Sequence, residues 1–183
     1  MKYGPEEFTD RTGEKIILRS PEITDAEVLI RYMEKTAEES PYLLREPGEF
    51  HMTVEEEERF LQSQINDPGG MMRSAFTEDG RHIGNGVIMP EGTGMRTRHR
   101  CGMAIALYRE FQGRGIGRII MESLIREAKK LGYEQAELEV VSTNEKAVGL
   151  YTSMGFVKHG VHPHNMKYPD GTYADCDYMV KKL

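Results

Sequence analysis

The 183-residue chain contains no tryptophan and only two cysteines. It also has no apolar run approaching the roughly 18 residues that a membrane-spanning helix needs. Cys101 and Cys176 lie far apart in strand-like segments, where a small buried thiol fits better than a disulfide. Residues 1–15 are polar and acidic and lack the apolar centre of a secretory leader, so a cytoplasmic protein with no membrane partner is expected. Basic residues are outnumbered, with 24 Lys and Arg against 30 Asp and Glu and a formal net charge of −6. That balance does not supply the broad basic face needed to neutralise phosphates, which argues against a nucleic-acid partner. A Gly-Lys-Ser/Thr ending is missing, as is a succession of parallel strands ahead of the glycine-rich stretch, and both absences weigh against an ordinary nucleotide-binding domain. No repeat, low-complexity tract or linker divides the chain. One domain over 14–183 is expected, preceded by an N-terminal extension or hairpin over 1–13.

What the chain does have is a concentrated signal at Gln112-Gly113-Arg114-Gly115-Ile116-Gly117-Arg118. The glycines leave backbone N–H groups uncovered by Cβ atoms, and the helix that follows aims the positive end of its dipole at the same spot. Ile116, Ile119, Ile120, Leu124, Ala128 and Leu131 recur at helical spacing before Gly132 stops the helix. Such a junction binds phosphate, and Arg109, Arg114 and Arg118 around it would add charge-assisted contacts.

The flanking sequence reads as alternating sheet and helix. A short extended piece, a Thr12-Gly13 turn and a strand over 15–19 form a hairpin. Thr24 or Asp25 caps a helix running to about Glu39. Tyr42, Leu43, Leu44 and Phe50 interrupt the irregular 40–52 stretch and are expected to fold over something. Thr53 and Glu56 form a capping box for a helix over 54–66. Three strands, 72–77, 83–89 and 99–107, follow as an antiparallel meander with turns at 79–80 and 91–94. Residues 136–141 alternate, and a strand–helix–strand passage of this length implies parallel pairing through a right-handed crossover. A second capping box at Ser142-Thr143-Asn144-Glu145 opens a helix carrying Ala147, Leu150, Tyr151 and Met154. Strands over 156–162 and 173–182, joined by a loop containing Pro163 and Pro169, complete the chain. His159, His162 and His164 are dense enough to suggest zinc, but their spacing is not the helical i, i+4 pattern and Pro163 signals a turn, so no metal site is expected.

Gln112-x-x-Gly115-x-Gly117, after a strand and before a helix, resembles the acyl-CoA signature of the GCN5-related N-acetyltransferase (GNAT) superfamily. In register behind it, Leu138-Glu139-Val140, Asn144, Ala147, Leu150-Tyr151 and Gly155-Phe156 resemble the second signature of that superfamily, in the form carried by its ribosomal-protein N-terminal acetyltransferase branch. The resemblance implies an α/β fold: a mixed, twisted sheet of about seven strands, helices on both faces, and a cleft where the fourth and fifth strands splay apart. It implies that backbone groups of Ile105, Ala106 and Leu107 pair with the pantetheine arm of CoA. The pyrophosphate would rest on Gln112, Gly113, Arg114, Gly115, Ile116, Gly117 and Arg118. Asn144 would either contact CoA or only cap its helix. Acetyl-CoA is then the acyl-donor cosubstrate, and a primary amine attacks it directly in a ternary complex. Tyr151 is the implied general acid for the departing thiolate and Glu139 the implied base, with Glu137 or a water relay as alternatives. The histidine-bearing loop would border the acceptor pocket. A non-catalytic acyl-CoA-binding or sensing module is the competing reading. The amine stays open among small amines, polyamines, amino acids, antibiotics and protein N-termini, and edge strands near the C-terminus make a homodimer the expected assembly.

Overall fold

The structure is a computed structural model describing residues 3–92 and 94–183. Met1 and Lys2, at the start of the expected extension, and Thr93, within the turn expected over 91–94, lie outside the described residues. A hairpin comes first, β1 (Glu6–Thr9) and β2 (Lys15–Arg19), followed by α1 (Ala26–Glu39) and α2 (Val54–Asn66). A meander of β3 (Met71–Thr77), β4 (His82–Pro90) and β5 (Arg100–Leu107) leads into α3 (Ile116–Lys130). Then come β6 (Gln135–Val141), α4 (Glu145–Ser153), β7 (Val157–Lys167) and β8 (Tyr173–Lys182). All strands join one eight-stranded sheet in the order β1-β2-β3-β4-β5-β6-β8-β7. Every neighbouring pair is antiparallel except β5 with β6. The count exceeds the expected seven or so because β1 pairs with β2 in register and so joins the same sheet.

Each helix covers the face that its apolar stripe selects. On one side, Ala26 and Leu29 of α1 meet Leu61 of α2 and Met72 of β3. On the other, Ile116, Ile120, Leu124 and Ala128 of α3 form the main core with Ile16, Leu18, Met71, Ile83 and Met103. Tyr151 and Leu150 bring α4 to that second face. Gly86 lets α3 lie directly on β4, since a Cβ there would sit 2.3 Å from Ile120 Cγ2. No helix among the described residues is long and apolar enough to cross a membrane.

Three local expectations need correction. The start of α4 is capped by Asn144, whose Oδ1 accepts from the Ala147 N–H at 3.2 Å, while the Ser142 hydroxyl is drawn away to the Asp177 carboxylate. Asp25 precedes α1 without capping it, because its carboxylate accepts from Arg19 at 2.7 Å and from the Glu22 N–H at 2.7 Å. Pro163 is not in a loop: β7 runs through it, with a register shift between His162 and Met166 and His164 at φ 52°. An edge strand tolerates proline there because the missing N–H faces no partner.

Candidate active site

Gly115 caps α3 at φ 87° and Gly113 sits at φ 78°, a left-handed region that glycine enters without the Cβ penalty. These turns lay out successive peptide planes whose N–H groups stay unspent. Gly113, Arg114, Gly115, Ile116 and Gly117 donate no backbone hydrogen bond within the described residues. The two ends of the stretch differ from expectation: Gln112 N–H is spent on the Arg109 carbonyl and Arg118 N–H on the Gly115 carbonyl, each at 3.1 Å. The cradle is therefore residues 113–117, at the positive end of a helix dipole, and it suits a diphosphate.

The three arginine side chains expected around it are engaged elsewhere. Arg109 reaches the Glu39 carbonyl at the C-terminus of α1, where the dipole favours a cation. Arg114 is ion-paired with Asp10 at 2.5 Å and with Glu14, and it donates to the Thr12 hydroxyl at 3.1 Å. Arg118 donates to the Ser153 hydroxyl and lies 3.7 Å from Glu122. A side chain that the sequence did not single out is present instead: Arg11 crosses Gly115, with its Cγ and Nε 3.3 Å from where a Cβ would stand.

Beside the cradle the sheet opens. β5 and β6 pair only through Arg100 with Gln135, Cys101 with Ala136 and Gly102 with Glu137. Strand alternation then assigns the open edge. The Arg100 carbonyl accepts from Glu91 on the β4 side, whereas the His99 carbonyl accepts from Glu134 and Gln135 on the β6 side. Odd-numbered residues therefore turn toward β6, so beyond the last pair Met103, Ile105 and Leu107 face the gap. Ala106 faces the other way. Its carbonyl lies 2.4 Å from a Cβ built on Gly84 and accepts the Tyr32 hydroxyl at 2.9 Å. On the open edge, the Leu107 carbonyl accepts from the Gln112 side chain at 3.3 Å. A Cβ on Gly117 would stand 3.5 to 3.7 Å from Ile105, Leu150 and Leu107, at the mouth of the same gap.

Two candidate proton carriers flank the gap from opposite faces of the sheet. Tyr151 belongs to the core on the α3 and α4 side, edge-on to Phe156 at 6.0 Å. Burial pushes its phenol up to about 12, so it carries its proton throughout the neutral range. Its hydroxyl makes no hydrogen bond within the described residues. Leu138 and Val140 point into that core, so alternation turns Glu137 and Glu139 to the α1 and α2 side. Their surroundings differ sharply. Glu137, only 5% exposed in its side chain, receives Gln135 at 2.7 Å, Arg100 at 3.3 Å and the Tyr178 hydroxyl. Glu139 is 45% exposed, with His162 Nδ1 at 3.3 Å and Asn165 Nδ2 at 2.9 Å. His162 and Asn165 were not assigned to this carboxylate by the sequence, because the shift at Pro163 turns them toward it.

The 40–52 stretch covers this side only in part. Phe50 is buried, as expected of an apolar side chain folded over the protein, and the Pro41 carbonyl accepts from Tyr168, but Leu44 is 83% exposed and departs from that expectation. A cleft of about 250 Å³ remains between Glu39, Arg45, Glu46, Arg109 and Tyr168.

A mixed sheet split beside a glycine-rich helix start defines a protein built to hold an extended, phosphate-ended ligand between two strands. The family model of the Acetyltransferase (GNAT) family matches residues 29–156, and the chain belongs to that family. Within it, the chain resembles ribosomal-protein-alanine N-acetyltransferases. It is 31% identical over 114 residues to the [Ribosomal protein bS18]-alanine N-acetyltransferase of Escherichia coli K12, covering 62% of this chain and 66% of that protein. Its Salmonella typhimurium counterpart is 44% identical over 99 residues, covering 54% of this chain and 56% of that protein. The matches thus span less than two thirds of either relative. Among solved structures, a GNAT-family acetyltransferase from Streptococcus pneumoniae superposes with a TM-score of 0.86 at 25% identity, covering 92% of this chain and 99% of that one. A phosphinothricin acetyltransferase from Sinorhizobium meliloti, solved in complex with AcCoA, shares the fold at a TM-score of 0.79 and 18% identity, over 91% of this chain and 87% of that one.

Proposed function

We propose that the chain transfers an acetyl group from acetyl-CoA to a primary amine, by direct attack of the amine while both substrates are bound. The observation that carries this reading is the juxtaposition of unspent N–H groups over 113–117 with the open edge of β5. The cradle suits the diphosphate of CoA, and the edge suits the amides of its pantetheine arm. Ile105 and Leu107 supply the pairing groups, while Ala106, whose backbone faces β4, stiffens the strand. Asn144 spends its oxygen on the α4 cap and retains its amide N–H₂ as a donor toward the cosubstrate.

The acyl-CoA thioester supplies the acetyl group. Glu139 takes a proton from the incoming ammonium, directly or through water, and the neutral nitrogen forms the new C–N bond as the C–S bond breaks. Tyr151 gives its proton to the sulfur that departs, and the second proton, shed by the acylated nitrogen, restores the Tyr151 phenol directly or through water. Glu137 holds Tyr178 and Arg100 in place, and that engagement favours Glu139 as the base. The cleft near Glu39 and Glu46 is lined by Arg45 and Arg109 as well and so carries both signs of charge, and a peptide N-terminus of the kind named for the bS18-directed relatives is the first acceptor to try.

The test is CoA thiol release from acetyl-CoA against a panel of peptide N-termini, polyamines, amino acids and aminoglycosides. Amine-dependent release supports the reading. Thermal stabilisation by acetyl-CoA with no amine-dependent release across the panel identifies a sensing module instead.

A further inference from the structure

We propose that Arg11, at the tip of the β1–β2 hairpin, is a phosphate ligand of the cosubstrate, and that the hairpin is docked on residues 113–117 in order to present it. The proposal rests on the acyl-CoA reading above. The docking is built from groups specific to this turn. Asp10, its carboxylate fully buried, accepts the Thr12 N–H at 2.8 Å, the Thr12 hydroxyl at 2.7 Å and the Glu14 N–H at 3.0 Å, which fixes the turn. The same carboxylate pairs with Arg114, and the Arg11 N–H donates to the Arg114 carbonyl at 3.0 Å. The hairpin tip and the glycine-rich loop are thereby joined through both side chain and backbone.

What this places over the loop is a cation. The Arg11 stem runs across Gly115, with Cγ and Nε 3.3 Å and Cδ 3.6 Å from the point a Cβ would occupy. A side chain at residue 115 would push it away. Arg109, Arg114 and Arg118 all have protein partners, and Asp10 and Glu14, the acids of the same hairpin turn, are both taken by Arg114. Among the described residues no carboxylate pairs with Arg11. A guanidinium beside Gly115, one of the residues with unspent N–H groups at the start of α3, adds positive charge next to the positive end of the helix dipole, and an anion bound there would meet both. Arg11 also lies outside residues 29–156, the part matched by the family model, so this contact is contributed by the chain's own N-terminal segment.

The ligand chemistry is a phosphate ester, either the diphosphate bridge or the 3′-phosphate of the CoA nucleotide. Dissociation constants for the parent and Arg11→Gln, measured by calorimetry with acetyl-CoA, 3′-dephospho-acetyl-CoA and S-acetylpantetheine, separate the cases. Arg11→Gln is expected to weaken acetyl-CoA about tenfold, equivalent to about 1.4 kcal/mol, with S-acetylpantetheine binding unchanged. If the penalty persists with the dephospho analogue, the contact is to the diphosphate; if it vanishes there, the contact is to the 3′-phosphate. Equal acetyl-CoA affinity in the two proteins, or an equal loss toward phosphate-free S-acetylpantetheine, overturns the proposal. Failure of the parent itself to bind acetyl-CoA overturns the cosubstrate reading and this inference with it.

Discussion

Tyr178 of β8 donates its hydroxyl to Glu137 of β6, and burial together with that carboxylate pushes its phenol up to about 12. The pair ties one of the two candidate carboxylates into structure and leaves the other, Glu139, facing solvent. Glu137→Gln should therefore act on stability. Losing the charge that faces Arg100 and Tyr178 is expected to cost about 1–3 kcal/mol and to lower the melting temperature. Glu139→Gln should leave the melt nearly unchanged and lower kcat by about 100-fold. Turnover unaltered by Glu139→Gln would move the proton to a water relay.

Tyr151→Phe keeps the edge-on contact with Phe156 and removes only the hydroxyl. Because that hydroxyl serves no acceptor among the described residues, stability should hold while kcat falls by about 100-fold, with little change in the KM for acetyl-CoA. Steady-state kinetics with a good amine acceptor decide it: unchanged turnover removes Tyr151 as the acid.

The hairpin lock carries a pH signature. Burial works against the Asp10 carboxylate, but the Thr12 hydroxyl, Arg114 and the N–H groups of Glu14 and Thr12 outweigh it and hold its pKa at about 2. A carboxyl depressed on folding contributes stability that is complete above about pH 4 and is lost as pH falls through the folded value. Asp10→Asn should melt earlier than the parent at neutral pH, and the two curves should converge toward about pH 2 in differential scanning calorimetry. Parallel curves throughout would show that the carboxylate charge is not what locks the turn.

His82 should dominate a second, milder acid transition. It sits among Tyr32, Phe76 and Tyr108, with Nε2 2.8 Å from Asn85 Oδ1 and Nδ1 buried without a partner. Burial lowers its pKa to about 4, against the Asn85 contact and the Asp25 carboxylate, which pull the other way. The unfolded chain therefore takes up the proton first, so this stability is whole above about pH 6.5 and drains as pH falls toward 4. The parent should lose melting temperature across that interval, and His82→Gln, which cannot titrate, should show a flatter profile.

The elements that were legible in the sequence are those whose pattern is local. The apolar spacing of α3, the alternation of β6 and the Thr53–Glu56 box of α2 each name their own partners within a few residues, and each forms where expected. The glycine junction and the strand that precedes it were legible for the same reason. What escaped depends on pairs distant along the chain. Arg114 is claimed by Asp10, 104 positions away, and Arg109 by Glu39, 70 positions away, so arginines near an anion cradle in sequence do not face it in space. The parity that assigns Ile105 and Leu107 to the gap follows from which side of β5 pairs with β4, a register invisible in composition.

Only three residue pairs stitch β5 to β6, at the end of the sheet farther from the glycine-rich loop. The sheet is mechanically two leaves, β1 to β5 and β6-β8-β7, joined by a short seam. Helix α3 makes its most extensive contacts with β4 and β5 and so stiffens the first leaf. A ligand strand laid in the gap would add the rungs that the seam lacks and turn two leaves into one plate. The amides of Ile105 and Leu107 are the local gauge of that closure, and their hydrogen exchange should slow when the gap is filled.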